Sequence, residues 1–584
     1  MTRTKVKNLD LSRYIRKLLV IAFILNFSLF CLIYRIELPP PYYRDYPIKM
    51  SLLFASTVGP TDMDPHMCYD RTGRNVITQI CENLYKFNVT DPAYSSVPQL
   101  AYALPSVTPD SLNITIPLKA GIKFSDGTPF NAEACKWNFD RLNYFLNYSG
   151  NQFLPAPFNV PLSPTVQVTK HYSLFTSGGI PIMNRTEIVD EYTIKIVMNI
   201  PKASVISLLN FHATAMMSPT ATIAQGKELA MLTYADGDIL IGTGPFIFQS
   251  YETDVEVKLY KNPNYWDWVP FETITDLTIW IIEDDIALNT AIWAGDIDLY
   301  DNPGAEFVQH FCSDPDITVV EAPSLNISYM GFNGYMVDTP YRKAISYAIN
   351  YSYIIDVILS GNAYRLKSPI PIGIPLSNYG FNYPIFNRTY AQQLMQAQGH
   401  GTTFTTDAEW YAQGSGAGWG FGWNITAQTE GTTRRDIALY VSDNLKYIGI
   451  NAPVVQISFW DIISCMEHDT GPLRRDKIPM YMFGWGPEYI DPENYITTLY
   501  SNTSAIWVNT WDHQLELLML VGETTVDHVA RKAIYDEIQR KLVEELFFFV
   551  WFTSGKNYDV YQNYVHGWVP NAIERVDLYP IWIY

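Results

Sequence analysis

Residues 111–142, SLNITIPLKAGIKFSDGTPFNAEACKWNFDRL, run an alternating strand into a tight turn and then into a capped helix, so the chain is committed to a mixed α/β layout. Leu112, Ile114, Ile116 and Leu118 repeat at period two and give a half-buried strand one apolar face. Asp126-Gly127 is a turn signal. Asn131 offers a side-chain acceptor to the free amides of the next segment, and Glu133 sits against the positive end of the helix dipole. Cys135, Phe139 and Leu142 then fall along one helical face. Nothing in the stretch has the pattern of a catalytic motif.

A chain of 584 residues is longer than one hydrophobic core supports, so two or more lobes are expected. Its 48% hydrophobic and 17% charged content is that of a globular protein. The 41 Tyr and 15 Trp suit walls that are partly wet, because each ring carries a polar handle. The net charge is −19, yet residues 1–41 hold seven Lys or Arg against Asp10 and Glu37, which leaves the body near −24. An acidic body without a basic stripe repels phosphate backbones, which excludes nucleic acid as a partner class.

From Leu18 to Tyr34 the chain is uncharged and mostly apolar, bounded by Lys17 and Arg35. As a helix it would span about 25 Å, workable for a hydrocarbon core of about 30 Å with snorkelling flanks. The basic flank favours the cytoplasm, which places the body outside. No small-x-small cleavage site follows, and bulky Phe30 precedes Cys31, so an uncleaved single-pass anchor is expected rather than a signal peptide or a lipidated cysteine. Residues 1–17 then form a cytoplasmic segment, 18–34 the anchor and 35–47 a linker stiffened by Pro39 to Pro41. Sequons at Asn88, Asn113, Asn147, Asn326 and Asn424 suit a glycosylated exterior. The body has five cysteines and no Cys-x-x-Cys. Cys68 and Cys81 are candidates for a disulfide, with buried thiols as the alternative.

The usual catalytic patterns are missing: there is no Gly-x-Ser-x-Gly, no His-Glu-x-x-His and no phosphate loop. The glycines from Gly414 follow no apolar strand, which argues against a dinucleotide site. His66 near Cys68, and His468 beside Glu467 and Asp469, are metal-ligating types, but structural or solvated histidines account for them more simply. No metal, no cofactor and no enzymatic activity are expected. Residues 400–423 are Gly-rich with Trp410 and Trp419 and read as a long surface loop, a candidate cover for a ligand site. The run 545–552, ELFFFVWF, reads as a buried strand.

Six blocks in order resemble the family 5 extracytoplasmic solute-binding proteins of ABC importers, the group of oligopeptide- and dipeptide-binding proteins. The first holds Gly121, Phe124, Asp126, Gly127, Pro129 and Ala132. The second holds Gly242, Gly244, Pro245, Asn262, Pro263, Tyr265 and Trp266. Ala287, Gly295, Asp296 and Asp298 follow, then Phe332, Asn333, Arg342, Ala344, Ile345, Ala348 and Ile349. FGWGPEYIDPENY and the helix ARKAIYDEIQRKLVEE complete the series, and the likeness spans about residues 48–584. It implies a periplasmic-binding-protein-like α/β fold with two lobes around a ligand cleft. The first lobe would take 48–320, with an inserted subdomain, and 485–584 on the return; the second would take 321–484.

The resemblance also implies a site. In the oligopeptide-binding relatives the block at 484–492 reads Trp-x-x-Asp-x-x-acid-Pro, and its first acid accepts the peptide ammonium. Here Trp485 matches, Glu488 stands at that acid, and Asp491-Pro492 complete the pattern. Glu keeps the charge on a side chain one methylene longer. Trp485 and Tyr489, with the loop aromatics, are candidate pocket walls. The expected ligand is a di- or oligopeptide, with an oligosaccharide or other small solute as the alternative because sugars stack on aromatic faces. The expected partners are the importer's membrane subunits, and the expected state is a membrane-anchored monomer.

Overall fold

A computed structural model describes residues 49–584 apart from 69, 147–152, 163–168, 170, 178–179, 270–272, 302, 304, 430–431, 460, 463–477 and 502–511. The apolar run 18–34, the sequon at Asn147, Cys465, Glu467, His468 and Asp469 lie outside the described residues.

The stretch 111–142 folds as its pattern predicts. Strand Asn113–Pro117 buries Ile114 and Ile116, and Gly127 turns the chain with φ of 87°, a conformation open to glycine. The Asn131 side chain accepts the Ala134 amide at 3.0 Å where helix Ala132–Leu146 begins. The strand belongs to a four-stranded antiparallel sheet with Ser106–Val107, Met183–Asp190 and Thr193–Met198.

Among the described residues the main sheet has eleven strands, built around two long antiparallel ones, Ile317–Phe332 and Phe549–Gln562. They pair from Ile317 opposite Gln562 to Gly331 opposite Phe549. On one side Phe549–Gln562 adds Leu299–Asp301, which lies parallel to Ser51–Ser56 and so leads to Asp276–Ile281. On the other side Ile317–Phe332 adds Met480–Trp485, then Ile425–Gln428 and Val454–Ile457. Each side has its own apolar core, Leu52, Phe54, Val76 and Leu277 on the first, Ile345, Trp410, Val441 and Met480 on the second. Two α/β lobes therefore share a pair of crossing strands. Their ladder breaks between Pro323 and Ile327, where the proline has no amide to donate, and its register shifts again between Ser328 and Tyr329.

Two glycines of the second motif block work by close approach. The Gly244 amide donates to the Ile80 carbonyl at 2.8 Å, and a Cβ on Gly242 or Gly244 would be driven into that same carbonyl.

Three expectations need adjustment. Cys68 and Cys81 are separate buried thiols, because the ten-residue helix Arg71–Ile80 stands between them. Such a helix is about 15 Å long, whereas a disulfide needs Cα atoms within about 7 Å. Residues 400–423 are not a loose surface loop. They form helix Asp407–Ser415, capped reciprocally by Thr406 and Glu409, with Trp410 buried and Trp419 packed against Gly449 in the second-lobe core. The run 545–552 is divided: Lys541–Leu546 is wound as a π-helical turn, Phe547 takes a left-handed φ of 48°, and only from Phe549 is the chain a buried strand.

Candidate functional site

The turn between strand Met480–Trp485 and helix Glu493–Tyr500 is held by polar contacts from several segments. Asn494 Oδ1 accepts the Glu488 amide at 3.2 Å and Trp485 Nε1–H at 3.3 Å. Asp491 is buried and binds Arg531 through both oxygens. Buried Glu493 takes the Lys202 ammonium, the Ser204 hydroxyl at 2.7 Å and the Tyr489 hydroxyl at 3.3 Å. Ser207 Oγ donates to the Ile490 carbonyl at 2.8 Å. Charge-assisted bonds of this kind fix the backbone that presents Glu488.

Glu488 and Tyr489 line a cavity of about 60 Å³, room for a few waters. Trp485 and Asp491 lie outside that lining and brace the turn. The opposite wall is helix Arg71–Ile80, which contributes Arg74, Asn75 and Thr78. Asn210 and His212 close another side, and Arg575 arrives from the C-terminal segment. All of these come from residues 74–212 and 487–576, so this cavity belongs to the first lobe and its returning segment.

Two lining atoms are buried acceptors without a hydrogen-bond partner among the described residues, Asn210 Oδ1 and His212 Nδ1. The Asn210 amide nitrogen donates to Ser96 Oγ at 2.9 Å and to the Ile206 carbonyl at 2.7 Å, which assigns the free end as oxygen. His212 Nε2 lies 2.8 Å from the Cys68 carbonyl and must donate to it, leaving a lone pair on Nδ1. Burial, reinforced by the Arg74 charge against the opposing pull of that carbonyl, pushes the His212 pKa down to about 3. The imidazole is therefore neutral at pH 7.

A larger cavity of about 260 Å³ lies beyond Asn75, where strand Ser51–Ser56 ends, and is lined by Ser56, Thr72, Asp285 and Tyr300. Arg71 also lines this larger cavity and is held by Asp301 at 2.6 Å and Glu574 at 3.3 Å. Elsewhere His66 sits 2.8 Å from Arg141, whose guanidinium forks onto buried Asp64. Among the described residues no group of three or more His, Cys, Asp or Glu is placed to hold a metal. No helix among them is long and apolar enough to cross a membrane.

Arg74, Asn210, His212 and Arg575 escaped the sequence reading. Only Arg74 left a trace there: with Arg71 and Thr78 it forms the polar stripe, spaced three and four residues, of an otherwise buried helix.

Residues 95–507 match the family model "Bacterial extracellular solute-binding proteins, family 5 Middle". The glutathione-binding protein GsiB of Pectobacterium atrosepticum is 23% identical over 496 residues, 82% of this chain and 84% of that protein. Among solved structures, the substrate-binding protein CtaP of Listeria monocytogenes superposes with a TM-score of 0.75 at 18% identity, covering 92% of this chain and 100% of that one. The periplasmic binding protein DppA of Helicobacter pylori, solved with the peptide STSA, gives 0.71 at 20% identity over 92% and 98%. These are binding proteins, in keeping with a chain in which no catalytic motif was found. The protein belongs to the bacterial extracellular solute-binding proteins of family 5.

Proposed function

We propose that the chain is the substrate-binding receptor of an ABC importer, tethered outside the cell by residues 18–34, and that it captures short peptides with their ammonium at Glu488. The observation that carries this is the acceptor set around one small cavity: the Glu488 carboxylate, Asn210 Oδ1 and His212 Nδ1. An ammonium has three N–H donors and no acceptor, and it brings the charge that makes a carboxylate worth desolvating. The relatives named for glutathione, and the structural neighbour holding a peptide, point the same way. A sugar receptor draws no support from Trp410 and Trp419, which are spent on the second-lobe core.

The test is a cycle of titrations with Ala-Ala and N-acetyl-Ala-Ala against wild type and Glu488→Gln. Each change alone should cost about 2 to 5 kcal/mol, the range for breaking one side of a buried charge pair. The two losses should not add, since both remove the same interaction. Undiminished binding by Glu488→Gln, or additive losses, would place the ammonium elsewhere.

A further inference from the structure

The cavity of about 260 Å³ opens where the parallel strands Ser51–Ser56 and Leu299–Asp301 both end, the edge of an α/β sheet at which ligands collect. It is below the roughly 300 Å³ of a site that encloses a whole drug-sized ligand, so its size suits one side-chain-sized group. Helices Arg71–Ile80 and Asp285–Ala294 both begin at its wall. Helix starts of this kind attract anions, but here carboxylates already fill them: Asp70 accepts the Gly73 amide at 2.6 Å and Asp284 the Ala287 amide at 2.7 Å.

The wall is therefore negative. Asp70, Asp285 and Asp301 stand against Arg71, a formal −2, and Glu283 and Asp284 add two more negative charges at the exposed entry to the second helix. The two helix ends offset about half a charge each. Arg71 is answered by Asp301 and by Glu574. At the neighbouring cavities Arg74 and Arg575 are matched by Glu488 and Glu574, and Asp559, pushed up to about 7, adds a partial negative charge.

Two lining groups are uncommitted. The Asp285 side chain makes no hydrogen bond or ion pair with another described residue. Asn75 is only 5% exposed and lines both cavities, yet its Oδ1 and Nδ2 likewise have no partner among the described residues. A buried amide in that position is stabilised by a ligand that bonds to it. Val58 and Leu288 share the wall and offer apolar surface to the stem of a long basic side chain. We infer that the larger cavity is a subsite for an alkylammonium or guanidinium group, with Asp285 as its countercharge and Asn75 Oδ1 as an acceptor. On the peptide reading above, that group is the basic side chain of a peptide whose amino terminus is at Glu488, and Asn75 joins the two cavities.

The experiment titrates the full-length protein with Ala-Lys, with Ala-norleucine, which has the same stem and no side-chain charge, and with n-butylammonium chloride against an equal concentration of sodium chloride. Wild type should bind Ala-Lys at least about tenfold more tightly than Ala-norleucine. Asp285→Asn, a change at an exposed position, should bring that preference within about threefold. Glu283→Gln removes the same charge outside the lining and should keep the preference. Equal affinity of wild type for the two dipeptides, a test that needs no variant, overturns the inference. So does a preference that survives Asp285→Asn or falls equally in Glu283→Gln. The amine separates the two proposals. If neither dipeptide binds but butylammonium raises the melting temperature of wild type and not of Asp285→Asn, the cation subsite stands and the peptide reading falls. If the dipeptides bind alike and the amine has no effect, the peptide reading stands and the subsite falls. If nothing acts, both fall.

Discussion

Asp491 receives Arg531 through both carboxylate oxygens, Oδ2 from Nη1 at 2.8 Å and Oδ1 from Nη2 at 2.7 Å, and so ties the turn bearing Glu488 to helix His528–Arg540. The pair is buried. Arg531→Met leaves a carboxylate unpaired in the interior and should cost about 3 to 5 kcal/mol. Adding Asp491→Leu should recover part of that loss, because both charges are then gone. Urea denaturation of the three proteins measures it, and additive losses would mean that the ion pair is not the link.

Asp559, on the crossing strand Phe549–Gln562, is pushed up to about 7 by burial and by the nearby Asp301 charge, against the opposing bond from Trp568 Nε1 at 2.9 Å. A carboxyl with a raised folded pKa contributes stability that is fully present below its ordinary value of 3.8 and is lost as pH climbs to about 7. Asp559→Asn lacks that loss. Its stability relative to wild type should therefore be greatest above pH 7 and shrink toward pH 4, at up to about 1.4 kcal/mol per pH unit. Denaturation at a series of pH values checks the sign, and a gain that grows in acid would contradict it.

The ladder of the two crossing strands is interrupted between Pro323 and Ile327, so this stretch is the expected hinge. A saturating peptide ligand should reduce the radius of gyration in small-angle scattering and raise the melting temperature by mass action. Saturation that left both unchanged would describe a rigid receptor.

The anchor is tested by truncation. A chain beginning at Tyr42 should be soluble without detergent, whereas the full chain should partition with membranes, as expected of one apolar run ahead of an acidic body. A truncated chain that stayed with washed membranes would overturn the tether.

Short-range physics was legible in the amino-acid sequence. Alternation at Ile114 and Ile116, the turn at Gly127 and the cap at Asn131 depend on neighbours within a few residues, and the folded chain keeps them. Motif order carried the fold class, since Gly242 and Gly244 are needed where the backbone passes over the Ile80 carbonyl. The site was another matter. Glu488 stood out by its motif, but the groups facing it, Arg74, Asn210, His212 and Arg575, come from segments up to about 500 positions apart and share no local pattern. That Asp491 pairs with Arg531, that Cys68 stays apart from Cys81 and that the glycines after His400 make a packed corner were likewise decided by tertiary packing. Charge pairing and burial depend on which distant surfaces meet, and periodicity along the chain does not encode that.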